Sequence, residues 1–330
     1  MKKTRLCEIL KIEYPIIQAP MTWITSAEMV AAVSNAGGMG VLGPNAGQRI
    51  AITDIIETGE RLRREIKKTR ILTSKPFGVN LVVDAPGTPE IIRKFSEQTL
   101  KVILEEEIPV AVVTGHSPNI TRQLKDAGIK VLFRASPVGI EVARKAEQME
   151  VDAFVAVGFE GGGHVGTDRT PVFTLIPQIA ESVKIPVIAG GGFSDGRQLV
   201  AALALGAEGV YMGTRFIVST ECPAHPRVKQ AICDANNTST ITCTGLIGVL
   251  RALKKPLMER CIDLEAKGAT PGEVTQLYSG GFRAGLLEGD MINGLISVGC
   301  GAGMIKDIKN AGDIVRDIIN EAEQVMTGLA

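Results

Sequence analysis

The sequence lacks the features that mark membrane, nucleic-acid-binding and metal-dependent proteins. No eighteen apolar residues run together in its 330 positions, which argues against a membrane-spanning helix. Lysine plus arginine and aspartate plus glutamate both number 36, so the formal net charge is zero and no field exists to gather nucleic acid or an anionic membrane. Only three histidines are present, and no two cysteines have C-x-x-C spacing, so no metal site is predicted. These absences favour a small molecule as the partner.

Cysteine usage and the N-terminal segment bear on the compartment. The cysteines are widely spread and have no histidine at metal-ligand spacing: Cys7, Cys222, Cys233, Cys243, Cys261 and Cys300. We expect reduced thiols, as in a cytoplasmic protein. The segment MKKTRLCEILKIEYP has two lysines directly after its first residue but no uninterrupted apolar run, so no export signal is predicted. A cytoplasmic location is therefore predicted, and a homodimer is left open.

Short apolar runs alternate with helical patterns over the first two thirds of the chain. Eight of these runs are expected to be strands: Ile16–Gln18, Met39–Leu42, Phe77–Leu81, Val110–Thr114, Val131–Phe133, Ala153–Val157, Pro186–Ala189 and Gly209–Met212. Alternation of strands and helices specifies parallel pairing, and eight units close an α/β fold into a (β/α)8 TIM barrel. An open doubly wound sheet would alternate in the same way. The barrel is favoured because no G-x-G-x-x-G follows the first strand and the glycine-rich segment comes late.

The pattern changes after Phe216. Helices are expected, with no strand between them, at Pro226–Asn236, Gly248–Lys267, Pro271–Ser279 and Gly312–Met326. Helices of this kind cannot bury their apolar faces alone, so they should pack on another surface. We predict a barrel over residues 1–218 and a C-terminal helical extension over residues 219–330 that packs on the rim of the barrel.

The segment PVIAGGGFSDGRQLVAALALGAEGVYMGTRF, Pro186 to Phe216, combines two of these strands with glycine-rich turns. The residues that follow the two strands are Gly190, Gly191, Gly192, Gly213 and Thr214. Main-chain N–H groups without a neighbouring Cβ, together with a hydroxyl, form an anion site. In a (β/α)8 barrel a phosphate is bound after the seventh and eighth strands, so we predict a phosphate site here.

A second glycine-rich segment, GFEGGGHVG at Gly158–Gly166, follows the sixth strand and is called the glycine loop below. Its three consecutive glycines would let the main chain lie flat against a bound ring and would bring His164 to the mouth of the barrel. Histidine serves readily as an acid or a base near neutral pH. Glu160 either orients this imidazole or is a solvated loop carboxylate. His225 stands before a proline, as in an ordinary loop.

Five segments in this order resemble the FMN-dependent nitronate monooxygenase family, formerly called 2-nitropropane dioxygenases. They are QAPMTW near the start, KPFGVNL at Lys75–Leu81, the glycine loop, IAGGGFSDGR and MGTRF. The family also includes FMN-dependent enoyl-ACP reductases and NADH:quinone reductases. The resemblance covers almost the whole chain and implies a TIM barrel that holds FMN non-covalently.

The resemblance also implies roles for individual residues. His164 matches the catalytic histidine of the family. Arg134 falls where some members carry a lysine near the flavin N1 and C2 carbonyl, and a cation there would stabilise an anionic reduced flavin. The positions that match flavin contacts are Ala19, Pro20, Met21, Asn80, Gly162 and Gly163, and those that match phosphate contacts are Gly191, Gly192, Gly213 and Thr214.

Three functions remain open on the sequence. QAPM at Gln18–Met21 favours a monooxygenase that oxidises alkyl nitronates with O2 to a carbonyl compound and nitrite. The segment ECPAHP, the long tail and Arg134 favour a flavin reductase that takes hydride from NADH or NADPH and acts on quinones. An enoyl-ACP reductase would use the same hydride, and the C-terminal helices would cover its acyl chain. A phosphate-binding barrel that is a lyase or isomerase without redox chemistry would need a strand-end lysine or a metal cluster, whereas Lys75 and Lys130 precede strands.

Overall fold

The computed structural model describes residues 1, 3–83 and 90–329. Its strands are β1 Ile16–Gln18, β2 Val41–Leu42, β3 Gly78–Val82, β4 Val110–Thr114, β5 Lys130–Arg134, β6 Ala153–Val157, β7 Gly163–Val165, β8 Val187–Gly190, β9 Gly209–Met212, β10 Thr240–Gly245 and β11 Gly248–Leu253. Its α-helices are α1 Arg5–Leu10, α2 Ala27–Asn35, α3 Ile55–Leu72, α4 Glu90–Glu105, α5 Pro118–Asp126, α6 Ile140–Gln148, α7 Val172–Ser182, α8 Gly196–Ala204, α9 Thr214–Ile217, α10 Pro226–Cys233, α11 Pro256–Ala266, α12 Pro271–Leu277, α13 Gly281–Leu286 and α14 Ala311–Leu329, and a 3-10 helix spans Cys300–Met304.

Eight parallel strands form the barrel, which confirms the predicted fold class. Their order is β1-β9-β8-β6-β5-β4-β3-β2. β6 is buried along its whole length, as expected for a parallel strand covered on both faces. Each predicted strand is present within a few residues of its expected bounds. The sequence also predicts a helix over Pro89–Glu106; the structure has α4 at Glu90–Glu105, and Pro89 lies outside the described residues.

The barrel closes between β1 and β2 through Gln18. Ile17 and Met39 form an isolated parallel bridge, and the Gln18 main-chain N–H donates to the Met39 carbonyl at 2.9 Å. The buried Gln18 side chain extends the ladder because its Oε1 accepts the Val41 N–H at 3.0 Å. A side-chain amide thus replaces main-chain pairing that the two-residue β2 is too short to provide.

The barrel interior is filled at one end and open at the other. Inward-facing residues such as Val112, Leu132 and Ile188 pack into one cluster with Leu6 and Leu10 of α1, all nearly inaccessible to solvent. Helix α1 therefore seals the end at which the strands begin. The carboxyl ends of the strands, where the glycine-rich segments lie, remain available for a site.

The C-terminal region contains strands, and the expectation of helices alone is wrong. Strands β10 and β11 form a hairpin, and β11 pairs antiparallel with β7 of the glycine loop to give a separate three-stranded sheet. The predicted helix Gly248–Lys267 is a strand up to Leu253, and helix α11 begins only at Pro256.

The C-terminal helix packs back on the barrel. Helix α14 lies against α8 and α2. A Cβ on Gly196 would stand 2.4 Å from the Ile318 carbonyl oxygen, so glycine allows the two helix backbones to approach. The division at residues 218 and 219 stays a prediction. No helix in the described part of the chain is long and apolar enough to cross a membrane.

Candidate active site

A cavity of about 470 Å³ opens at the carboxyl ends of the barrel strands. This volume lies in the range usual for small-molecule sites. The structure brings almost all the predicted site residues into its wall: Ala19, Pro20, Met21, Asn80, Arg134, Gly162, Gly163, His164, Gly191, Gly192, Gly213 and Thr214. Gly190 is the exception, because it is the last residue of β8 and its carbonyl accepts the Gly158 N–H at 2.9 Å.

The glycines after β8 and β9 form a concave surface of main-chain N–H groups. Gly191 and Gly192 have φ angles of +97° and +84°, a conformation that favours glycine. A Cβ on Gly191 would stand 2.9 Å from the Gly158 carbonyl oxygen. The N–H groups of Gly191, Gly192, Gly213 and Thr214 donate to no other described residue. The Thr214 hydroxyl accepts the Gly299 N–H at 3.0 Å, which leaves its own proton available. We call these four residues the amide cradle.

The glycine loop is held between the barrel and the tail. A Cβ on Gly162 would stand 2.5 Å from the Val298 main-chain carbon, so the tail segment passes directly over this residue. Gly163 has a φ of +76° at the start of β7. The glycines of this loop therefore allow the tail backbone to pass close to them, and they also line the cavity.

His164 lies in the middle of β7, opposite Leu250 of β11. Its ring is 6.3 Å from the ring of Phe282 on α13, with the planes tilted by 32°. Its Nε2 is buried and has no hydrogen-bond partner among the described residues. Burial and the nearby Arg134 charge lower the pKa of His164 to about 4. The imidazole is therefore neutral at physiological pH.

Arg134 projects from the end of β5 into the cavity. Its Nη2 donates to the His164 carbonyl at 2.9 Å, and burial lowers its pKa. Phe133, its neighbour in the same strand, packs on the opposite side against Phe154. Successive residues of a strand face opposite ways, so only one of this pair can face the cavity.

Asn80 and Tyr211 add polar groups deeper in the cavity. The Asn80 Nδ2 donates to the Val112 carbonyl at 2.8 Å and to the Thr114 hydroxyl at 3.1 Å, which fixes the amide. Tyr211 is 6% exposed, and burial raises its pKa above the ordinary value. Tyr211 is not among the residues predicted from the sequence. Its place in β9, two residues before Gly213 and hence on the same face of the strand, was the available signal.

The remaining candidates have other roles. Both Glu160 carboxylate oxygens accept the Val172 N–H, at 2.9 and 3.1 Å, so this side chain caps the start of α7 and neither orients His164 nor is merely solvated. The His225 Nδ1 accepts the Arg227 N–H at 3.1 Å and caps α10, as an ordinary loop residue would. Trp23 is in the cavity wall.

A family model described as nitronate monooxygenase matches residues 3–321. The chain belongs to the nitronate monooxygenase family. A probable nitronate monooxygenase from Staphylococcus aureus strain MSSA476 is 32% identical over 363 aligned positions, which cover 98% of both chains. The enzyme is therefore an FMN-dependent oxidoreductase of this family.

Solved structures of similar proteins agree with this membership. FabK from Thermotoga maritima has a TM-score of 0.87 and 35% identity, covering 100% of this chain and 99% of that one. Nitroalkane oxidase from Streptomyces ansochromogenes has a TM-score of 0.80 and 28% identity, covering 98% and 99%. The family membership implies a flavin cofactor.

The cavity of this family member fits FMN. The amide cradle offers four N–H groups with no partner among the described residues, as a phosphate requires. A Cβ on Gly191 or Gly192 would reach neighbouring atoms at 2.9 and 3.2 Å, so the cradle is shaped by the lack of side chains. Arg134, Asn80 and Tyr211 supply the polar groups for a heterocycle. That the named residues contact FMN in this way stays a prediction.

Proposed function

We propose that the protein is a nitronate monooxygenase that oxidises alkyl nitronates with O2 to a carbonyl compound and nitrite. The observation that carries this proposal is His164, a residue of the cavity wall whose buried Nε2 has no hydrogen-bond partner among the described residues. When bound, FMN supplies the acceptor for electrons that leave the substrate.

His164 is the polar anchor for the nitronate. A neutral imidazole donates a hydrogen bond from one nitrogen, and the negatively charged nitronate oxygens are strong acceptors. A ring with a pKa of about 4 is a poor base for the weakly acidic C–H group of a neutral nitroalkane. The site therefore favours the preformed nitronate over the neutral nitroalkane.

Apolar side chains of the cavity wall receive the alkyl chain. They come from the loop after β1, from α9 and from the tail: Met21, Trp23, Ile24, Ile217, Phe282 and Leu286. Such a wall excludes water from the reacting carbon and strengthens the electrostatic contribution of Arg134 and His164. Arg134 adds a fixed positive charge where negative charge accumulates during turnover.

A second candidate is an NAD(P)H-dependent reductase that acts on quinones or on enoyl-ACP. Its support is the similarity to FabK over the entire chain. The same apolar wall would accept an acyl chain. The lyase or isomerase alternative has no such support, because Lys130 lies at the start of β5 and pairs with Asp152 at 3.1 Å, away from the cavity.

One experiment distinguishes the two candidates. The FMN-loaded enzyme is mixed anaerobically with an alkyl nitronate, NADH or NADPH in turn, while the flavin absorbance is followed. We expect fast loss of flavin absorbance with the nitronate and little change with either nucleotide. Fast bleaching by NADH or NADPH, with no response to the nitronate, would support the reductase.

A further inference from the structure

We propose that Arg251, on the tail strand β11, is a positioning residue that holds the glycine loop so that His164 faces the cavity. This inference rests on the proposed role of His164. The proposed function would then depend on the β10–β11 hairpin of the tail as well as on the barrel.

Arg251 is a buried cation of the tail. It is only 7% exposed, and among the described residues no carboxylate pairs with it. A buried guanidinium without a counter-ion costs free energy unless hydrogen bonds and ring contacts compensate. Its partners should therefore indicate its role.

Those partners belong to the glycine loop and the hairpin. The Arg251 Nε donates to the Phe159 carbonyl at 3.2 Å, and the guanidinium lies 4.7 Å from the centre of the Phe159 ring. Its Nη1 donates to the Thr240 hydroxyl at 3.1 Å on the neighbouring strand. One side chain thus holds both the main chain and the ring of Phe159 against the tail sheet.

The register of the tail sheet connects this contact to His164. Arg251 is paired with Gly163, and the preceding residue Leu250 is paired with His164. The glycine loop is therefore fixed at both ends, by Arg251 at Phe159 and by strand pairing at β7. Arg251 does not line the cavity, so it acts through the loop and not on the substrate.

Lys229 provides a matched control. It is also a buried cation of the tail, 9% exposed, and its Nζ donates to the Ser219 carbonyl at 2.6 Å. Neither Lys229 nor Ser219 lines the cavity or contacts the glycine loop. Lys229→Met therefore removes a buried cation in the tail without releasing His164.

The test compares Arg251→Met, Arg251→Lys and Lys229→Met in the FMN-loaded enzyme. Hydrogen exchange of peptides that cover residues 158–166 reports on the loop independently of activity. For Arg251→Met we expect exchange there to rise by about tenfold and kcat to fall by about tenfold or more, because small misplacement of a reacting group is costly. Lys229→Met should leave both near wild type. Arg251→Lys keeps the positive charge but loses the planar guanidinium group. Its loop exchange and kcat should therefore lie between those of the other two variants.

Two outcomes would overturn the proposal: wild-type loop exchange and kcat in Arg251→Met, or equal changes in Lys229→Met. If Arg251→Met does not fold, Arg251→Lys and Phe159→Leu take its place, and unchanged loop exchange in both contradicts the proposal. His164→Ala tests the role of His164 separately from the role of Arg251. Full turnover in that variant would refute the role of His164, whereas the exchange data would still decide whether Arg251 holds the loop.

Discussion

The Arg134 Nη2 donates a 2.9 Å hydrogen bond to the carbonyl oxygen of His164. This contact joins the end of β5 to the strand that carries the imidazole. It brings a permanent positive charge close to the ring, and together with burial that charge opposes protonation of His164. The predictions below follow from this arrangement and from the amide cradle.

The first prediction concerns pH. Burial and then Arg134 lower the pKa of His164 to about 4 from an ordinary value of 6.5, so the neutral ring persists well into the acid range. We expect kcat/KM to be limited by this group only as the pH falls towards 4. An NMR titration checks the assignment, since the chain has only three histidines. A His164 midpoint near 6.5 would contradict the prediction.

The second prediction concerns the His164 side chain. His164→Ala should lower turnover by about 100-fold or more, the usual effect of losing a positioned polar catalyst. FMN should stay bound, because the amide cradle is unchanged. Steady-state rates and the bound-flavin spectrum measure the two effects. Unchanged turnover with every donor and acceptor tested would remove His164 from the mechanism.

The third prediction concerns the amide cradle. Gly191→Asp would add a carboxylate near the expected phosphate and strain a residue with a φ of +97°, so FMN should be lost. Gly268→Asp is the control for strain and added charge. Gly268 has a φ of +85° and no atom within 4 Å of its Cβ position. If Gly191→Asp were purified with its full complement of flavin, the phosphate site would lie elsewhere.

The fourth prediction concerns Arg134 and the flavin potential. Arg134→Gln removes a buried cation, so the anionic reduced flavin should be less stable and the midpoint potential more negative. A shift of about 30 mV corresponds to about 1.4 kcal/mol for a two-electron couple. Redox titration of wild type and variant measures it. A potential equal to that of wild type would place Arg134 outside electrostatic reach of the flavin ring.

Local patterns were sufficient to predict the barrel. Parallel strands buried on both faces are continuous apolar runs, and β4 and β6 match their predicted bounds. The amide cradle was also predictable, because glycines directly after two neighbouring strands expose main-chain N–H groups at the same end of the barrel.

The tail hairpin could not be predicted in the same way. The run from Gly248 to Leu253 fits a strand or the start of a helix by its apolar residues alone. These residues form a strand because they pair with β7, a segment more than 80 residues earlier in the chain. Arg251 escaped notice for the same reason, since its importance lies in distant contacts.

A crystal structure of the FMN-loaded enzyme tests the central claim most directly. The account predicts the phosphate within hydrogen-bond distance of the main-chain N–H groups of Gly191, Gly192, Gly213 and Thr214, with the flavin ring beside His164. A phosphate bound at another place, or a His164 ring turned away from the flavin, would contradict it.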